Sequence, residues 1–261
     1  MASSAKIFDS IMARFPQRFS LAFAYGSSVF SQGNKSHQKN MIDFIFCVDD
    51  PLPWHQANLQ ANNKHYSMLK YAGPDFIKYV QEHFGAKMYF NSLVEVENRL
   101  IKYGIISTTH LIEDLLDWQT LYISGRLHKP VKILKKVENT DVQQALLTNL
   151  QSALHASLLC LPENFTEEEL YLKIADLSYA GDFRMYFGED KRKVENIVKN
   201  QVPHFRSLYA DQLKLMPQLH WNQTSSTIEH SYSAVVFKLC FTEPWGSQGY
   251  PSHNKQSKRR L

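Results

Sequence analysis

The chain has 261 residues, 44% of them hydrophobic and 13% aromatic, enough to bury the core of one large domain or two modest ones. Its net charge of +4 equals the four cations of the last ten residues, Lys255, Lys258, Arg259 and Arg260, so residues 1–251 are neutral. A neutral body argues against nucleic acid as a partner. Cys47, Cys160 and Cys240 are too few and too scattered for a disulfide framework or a zinc site, and no apolar run reaches the ~18 residues that span a bilayer.

The first twenty residues, MASSAKIFDSIMARFPQRFS, combine Lys6, Arg14 and Arg18 with serines as a mitochondrial presequence does, yet they carry Asp9. The alternative is an ordinary first helix. LAFAYG and MIDFIFCV are short apolar runs that read as strands, with Asp49 and Asp50 as a strand-ending turn before Pro51. KMYFNSLVEV alternates, placing Met88, Phe90, Val94 and Val96 on one face and Tyr89, Asn91 and Glu95 on the other. THLIEDLLDW is an amphipathic helix whose Glu113, Asp114 and Asp117 form a solvated acidic face, and LYISGRLHKPVKIL reads as strand and turn.

From Asp141 the pattern turns helical. DVQQALLTNLQSALHASLLCL stops at Pro162, TEEELYLKIADLSYAG opens with Thr166 and Glu169 at capping-box spacing and closes at Gly181, and EDKRKVENIVKNQ is a third helix ended by Pro203. Tyr171, Tyr179, Phe183 and Tyr186 read as the core of this rear region. Strands first and helices later give an α+β front domain over 1–130, a small helical domain over 131–230 and a flexible basic tail over 231–261.

The chemistry concentrates between Phe23 and Asp50. A Gly-Ser turn after a strand points backbone N–H groups and a hydroxyl at whatever lies above it, which suits phosphate oxygens. In the next strand Asp43 sits among Ile42, Phe44, Ile45 and Phe46, where an ionised carboxylate is costly unless paired or metal-bound. Nucleotidyltransferases of the DNA polymerase β type join a Gly-Ser turn to a strand bearing Asp-x-Asp, but here Ile45 fills the second acidic slot. Asp49 is no substitute, because six residues at ~3.3 Å each put it roughly 20 Å from Asp43 along a straight strand. A second carboxylate must come from elsewhere. Asp182, followed by Arg184, is a candidate, although a helix-ending Gly-Asp is also common in plain turns. Arg126, Lys129 and Lys132 either neutralise phosphate or line a solvated strand end, and His65 with Tyr66 either reaches a nucleotide or packs.

The segments YGSSVFSQ, MIDFIFCVDDP, FGAKMYFNSL, RLIKYGIIST, LYISGRLHKPVKI, LSYAGDFRM and GEDKRKVENIV run in order within residues 15–210. Together they closely resemble the mitochondrial CDP-diacylglycerol synthases, the phosphatidate cytidylyltransferases also known as the translocator assembly and maintenance family. The resemblance implies a DNA polymerase β-like nucleotidyltransferase domain followed by a winged-helix-like one, Mg²⁺ dependence, and peripheral attachment to the matrix side of the mitochondrial inner membrane. The implied substrates are CTP and phosphatidic acid, the products CDP-diacylglycerol and pyrophosphate, for cardiolipin synthesis. It assigns Asp43 and Asp182 to the metal, Gly26, Ser27 and Ser28 to the triphosphate, and His65, Arg126, Lys129, Lys132 and Arg184 to substrate binding. Family members continue into a basic amphipathic segment, whereas here the chain from about Ser233 looks unrelated, so the basic tail is expected to give only weak, salt-sensitive contact with an anionic membrane. Two other functions fit the same residues: a non-catalytic adaptor of mitochondrial membrane assembly that keeps the fold, or a nucleotidyltransferase with another acceptor.

Overall fold

The computed structural model describes residues 2–30, 41–179, 193–217, 219–222 and 227–230. Its first helix, α1 (Ala2–Met12), leads into two apolar strands, β1 (Leu21–Tyr25) and β2 (Ile42–Val48), paired antiparallel with Tyr25 opposite Asp43. Asp50 caps α2 (Pro51–Asn62) by accepting from the Leu52 N–H, so this aspartate starts a helix as well as ending a strand. Asp49 accepts from Ser20 Oγ at 2.6 Å and Thr108 Oγ1 at 2.8 Å, which ties three segments together. Helix α3 (Pro74–His83) and the strands β3 (Met88–Val96) and β4 (Arg99–Ser107) follow.

A five-stranded mixed sheet has the order β3-β4-β2-β1-β5, with β5 at Lys132–Lys135, past the residue 130 at which the sequence reading divides the chain. Helices α1, α2 and α3 cover one face, and the other is covered by α4 (Thr108–Asp117), α5 (Ile123–Leu127) and the first half of α6 (Thr140–Cys160). Burial on both faces explains why β1 and β2 read as continuous apolar runs. In the edge strand β3 the expected faces do not hold. The register shifts between Asn91 and Val94, with Leu93 at φ 57°, so Tyr89 shares its face with Val94 and Val96 while Met88 and Phe90 pack on the other.

The reading of 121–134 as strand and turn is also corrected, because residues 123–127 are helical. The cause is Asp114, expected on a solvated face and instead buried. Its carboxylate accepts from the backbone N–H groups of Thr120, Leu121, Ile123 and Ser124 and from the hydroxyls of Thr120 and Ser124. Those bonds gather the orphan donors at the start of α5 and hold its carboxyl below the usual carboxylate range against the opposing effect of burial.

The rear core is formed by the second half of α6, α7 (Glu167–Asp176), α8 (Lys193–Lys199), α9 (Val202–Lys214) and a three-stranded antiparallel sheet. The strands are β6 (Asn164–Thr166), β7 (Leu219–Asn222) and β8 (Thr227–His230) in the order β6-β8-β7. The capping box of Thr166 and Glu169 starts α7 as the spacing predicts. Gly181, expected to end that helix, lies outside the described residues. Pro203 sits at the second position of α9, so it opens a helix that the sequence reading did not foresee. One helix belongs to both cores: α6 gives Val142 and Ala145 to the front and Leu150, Leu154 and Leu158 to the rear.

Candidate functional site

The end of β1, the start of β2, α5 and the rear helices meet at a cavity of about 260 Å³. Its front wall is Tyr25, Gly26, Ser27, Phe30 and Asp43; Arg126, Lys129 and Pro130 come from α5 and the turn after it, and Tyr179, Lys193, Ile197 and Gln201 from the rear. Phe30 reaches across to α9, its ring edge-on to His204 at 5.2 Å.

Gly26 is required by its conformation. Its φ of +89° strains any residue with a Cβ, and an added Cβ would lie 3.3 Å from Asp43 Oδ2, in the space beside the carboxylate. Its carbonyl accepts from the N–H groups of Val29 and Phe30, closing the turn that presents Ser27 to the cavity. Ser28 turns away and donates to the Met41 carbonyl at 2.6 Å, so its hydroxyl fastens the base of the loop.

Asp43 faces the same side of the sheet as Ile45 and Cys47. Burial raises its pKa above the ordinary 3.8, while Lys102 and Arg126 act in the opposite direction. Arg126 lies over the Tyr25 ring, its guanidinium carbon 4.3 Å from the centroid, and its Nε is buried without a hydrogen-bond partner. Lys129 is buried; it donates to Ser178 Oγ and sits 4.9 Å from the centre of the Tyr179 ring. Burial, then the charges of Arg126 and Lys193, push its pKa well below 10.5. The same ring carries Lys193 at 5.3 Å.

This apparatus is held in place from behind. Gly125 packs so closely on Ser178 that a Cβ there would come within 2.4 Å of the Ser178 Cβ, which locks α5 to the segment after α7. Asn149 of α6 accepts from Trp118 Nε1 and His128 Nε2 and donates to the Ser124 carbonyl. His128, its pKa lowered to about 4 by burial and the neighbouring Lys129, is neutral and donates through Nε2.

Of the residues singled out in sequence, Gly26, Ser27, Asp43, Arg126 and Lys129 converge on the cavity. Lys132 does not, since it turns to the opposite face with its ammonium 5.2 Å from the Phe8 ring. His65 does not either: its Nδ1 meets Tyr103 Oη at 3.1 Å under α2, and Tyr66 is buried in the same core. Asp182 and Arg184 lie outside the described residues. Sequence reasoning missed Tyr25, Phe30, Lys193 and Gln201, and it placed Tyr179 in the rear core alone. The one available signal was parity, because Tyr25 stands directly across from Asp43 in the β1–β2 pair. One carboxylate, several cations and a glycine turn at one cavity form a site for a polyphosphate.

A family model described as phosphatidate cytidylyltransferase, mitochondrial, matches residues 8–243, so the similarity runs past Ser233, where the sequence reading ended it. The chain is 56% identical over 232 residues to the mitochondrial phosphatidate cytidylyltransferase of Danio rerio, covering 88% of this chain and 69% of that protein. It is 58% identical over 206 residues to that of Xenopus laevis, covering 78% and 61%, and 52% identical over 231 residues to that of Homo sapiens, covering 88% and 51%. The chain therefore spans between half and about two thirds of the length of these relatives.

Proposed function

The chain belongs to the mitochondrial phosphatidate cytidylyltransferase family, and from that premise we propose that it transfers the cytidylyl group of CTP to phosphatidic acid, giving CDP-diacylglycerol and pyrophosphate. The observation that carries the reading is the convergence of Gly26, Ser27, Asp43, Arg126, Lys129 and Lys193 on one cavity. A phosphate oxygen of the lipid attacks the α-phosphorus of CTP in line as the bond to the β-phosphate oxygen breaks. The lipid phosphomonoester, with a second pKa near ~6, is already mostly dianionic at neutral pH, so no strong base is needed. The protein's task is to position the reactants and offset charge. Arg126, Lys129 and Lys193 hold the triphosphate, and the backbone of the Gly26 turn with the Ser27 hydroxyl cradles it.

The residues present fit Mg²⁺, which binds through one or two carboxylates plus substrate phosphate oxygens and water. Asp43 supplies one hard oxygen donor at the cavity wall, and the glycine keeps the space beside it open. Among the described residues no group of three or more ligating side chains occurs, so a second protein ligand such as Asp182 remains a proposal. The ion's contribution there is to neutralise charge on the phosphoryl oxygens.

The finer fold reading, a nucleotidyltransferase domain joined to a winged-helix-like one, is part of this proposal. It is supported by the Asp43 strand beside a Gly-Ser turn and by the rear order helix, strand, three helices, two strands. The relatives are named mitochondrial, and we place the protein at the matrix side of the inner membrane, in peripheral contact with anionic lipid. No helix among the described residues is long and apolar enough to cross a membrane. One observation favours a non-catalytic adaptor instead: Ile45, buried in the core, occupies the second acidic slot of the strand.

The test is product formation from labelled CTP, ATP, GTP or UTP with and without phosphatidic acid. Labelled CDP-diacylglycerol from CTP alone is expected. CTP binding without turnover would favour the adaptor, and turnover with another acceptor would replace the lipid in the reading.

A further inference from the structure

Elsewhere in the molecule, cations are held by carboxylates: Arg206 by Glu167, Arg14 by Glu97, Lys78 by Asp50 and Lys135 by Glu138. The cavity follows another rule. Arg126 and Lys129 make no ion pair among the described residues, and aromatic rings take the place of the missing acids. Tyr25 underlies Arg126 at 4.3 Å, and Tyr179 carries both Lys129 at 4.9 Å and Lys193 at 5.3 Å. Both rings line the cavity.

The difference has a physical consequence. A carboxylate fixes a guanidinium but cancels its charge and occupies its N–H donors, whereas a ring face holds the cation through its quadrupole and leaves both free. The buried Arg126 Nε without a partner is a donor left in that condition. We propose that Tyr25 and Tyr179 are positioning residues that hold Arg126 and the Lys129–Lys193 pair against the cavity with their charge uncancelled, ready for a polyphosphate. The proposal rests on the CTP reading above, which names the polyphosphate as that of CTP. The depressed pKa of Lys129 agrees with it, since a cation without a counter-charge loses its proton more readily until an anion arrives.

The test uses the full chain and inorganic tripolyphosphate, titrated by calorimetry, beside steady-state kinetics with CTP. Tyr25→Leu and Tyr179→Leu remove a ring, and Tyr25→Phe and Tyr179→Phe keep it. Each Leu variant is expected to weaken tripolyphosphate roughly 5- to 30-fold and to raise the KM for CTP by a similar factor with little change in kcat, while the Phe variants restore both. Tyr179 is only half-buried, so its Leu variant keeps the test open should Tyr25→Leu not fold. Wild-type tripolyphosphate affinity in a folded Leu variant would overturn the proposal, and so would a Phe variant as impaired as Leu. Ring-dependent tripolyphosphate binding in a chain that forms no CDP-diacylglycerol would support this inference and remove the reading it rests on.

Discussion

Both faces of the five-stranded sheet carry buried polar groups, and the two sets differ in where their hydrogen bonds go. Under α2 and α3 the groups turn to one another. Tyr103 Oη accepts from Asn58 and Asn91 and donates to His65 Nδ1, while Tyr66 Oη receives Asn58 and donates to His55 Nδ1. His55, its pKa lowered to about 4 by burial, is neutral and donates through Nε2 to Gln81. Under α5 the groups turn to a cavity, and there Asp43 faces a half-buried wall with Arg126 and Lys129 lacking carboxylate partners. A histidine in a saturated network is packing, whereas a cation left without a counter-charge is a site awaiting an anion.

The largest effect should separate the two faces outright. Asp43→Asn is expected to lower turnover more than a hundredfold, about 3 kcal/mol or more of transition-state stabilisation, while the melting temperature stays near wild type. The raised pKa of Asp43 also sets a pH expectation: its carboxylate is protonated as pH falls through a value above the ordinary 3.8. The acid limb of kcat/KM should therefore begin higher than a free carboxylate would give.

Next comes the scaffold behind the site. Asp114→Ala leaves six hydrogen-bond donors without their acceptor and should destabilise the chain by about 3 kcal/mol or more in urea unfolding. Because the folded-state pKa of Asp114 is lowered, its contribution is fully present above the unfolded value and is lost as pH falls through the folded one. The stability gap between wild type and this variant should thus narrow on acidification. A smaller change is expected from Gly26→Ala, which forces a Cβ into a positive-φ turn at about 1–2 kcal/mol and crowds Asp43. Its signature is a loss of turnover larger than the loss of stability.

How much of this was legible in the sequence follows from distance along the chain. The Gly-Ser turn and Asp43 belong to two strands that pair directly, so local pattern revealed them. Arg126 and Lys129 were legible as a basic cluster, but Lys132, three residues on, follows strand parity to the opposite face. Asp114 was misread because amphipathic spacing places a charge on the outer face of its helix and cannot show that the next loop folds back over it. Lys193 and Tyr179 reach the cavity only because α6 joins both cores, an arrangement without a periodic signature. His65 was drawn toward the site by the resemblance alone, and hydrogen-bond saturation places it in the packing.

The measurement that tests the contrast most directly is a calorimetric titration of CTP with Mg²⁺ into Arg126→Ala and Tyr103→Phe, paired with the unfolding free energy of each. Removing Arg126 should weaken CTP about 10- to 100-fold with stability nearly unchanged, since a charge-assisted contact is worth about 1.5–3 kcal/mol. Removing the Tyr103 hydroxyl should lower stability by about 1–3 kcal/mol and leave CTP affinity at the wild-type value, because it strips a partner from Asn58, Asn91 and His65. The reverse pattern, with CTP affinity lost in Tyr103→Phe and kept in Arg126→Ala, would contradict the account and move the site to the other face of the sheet.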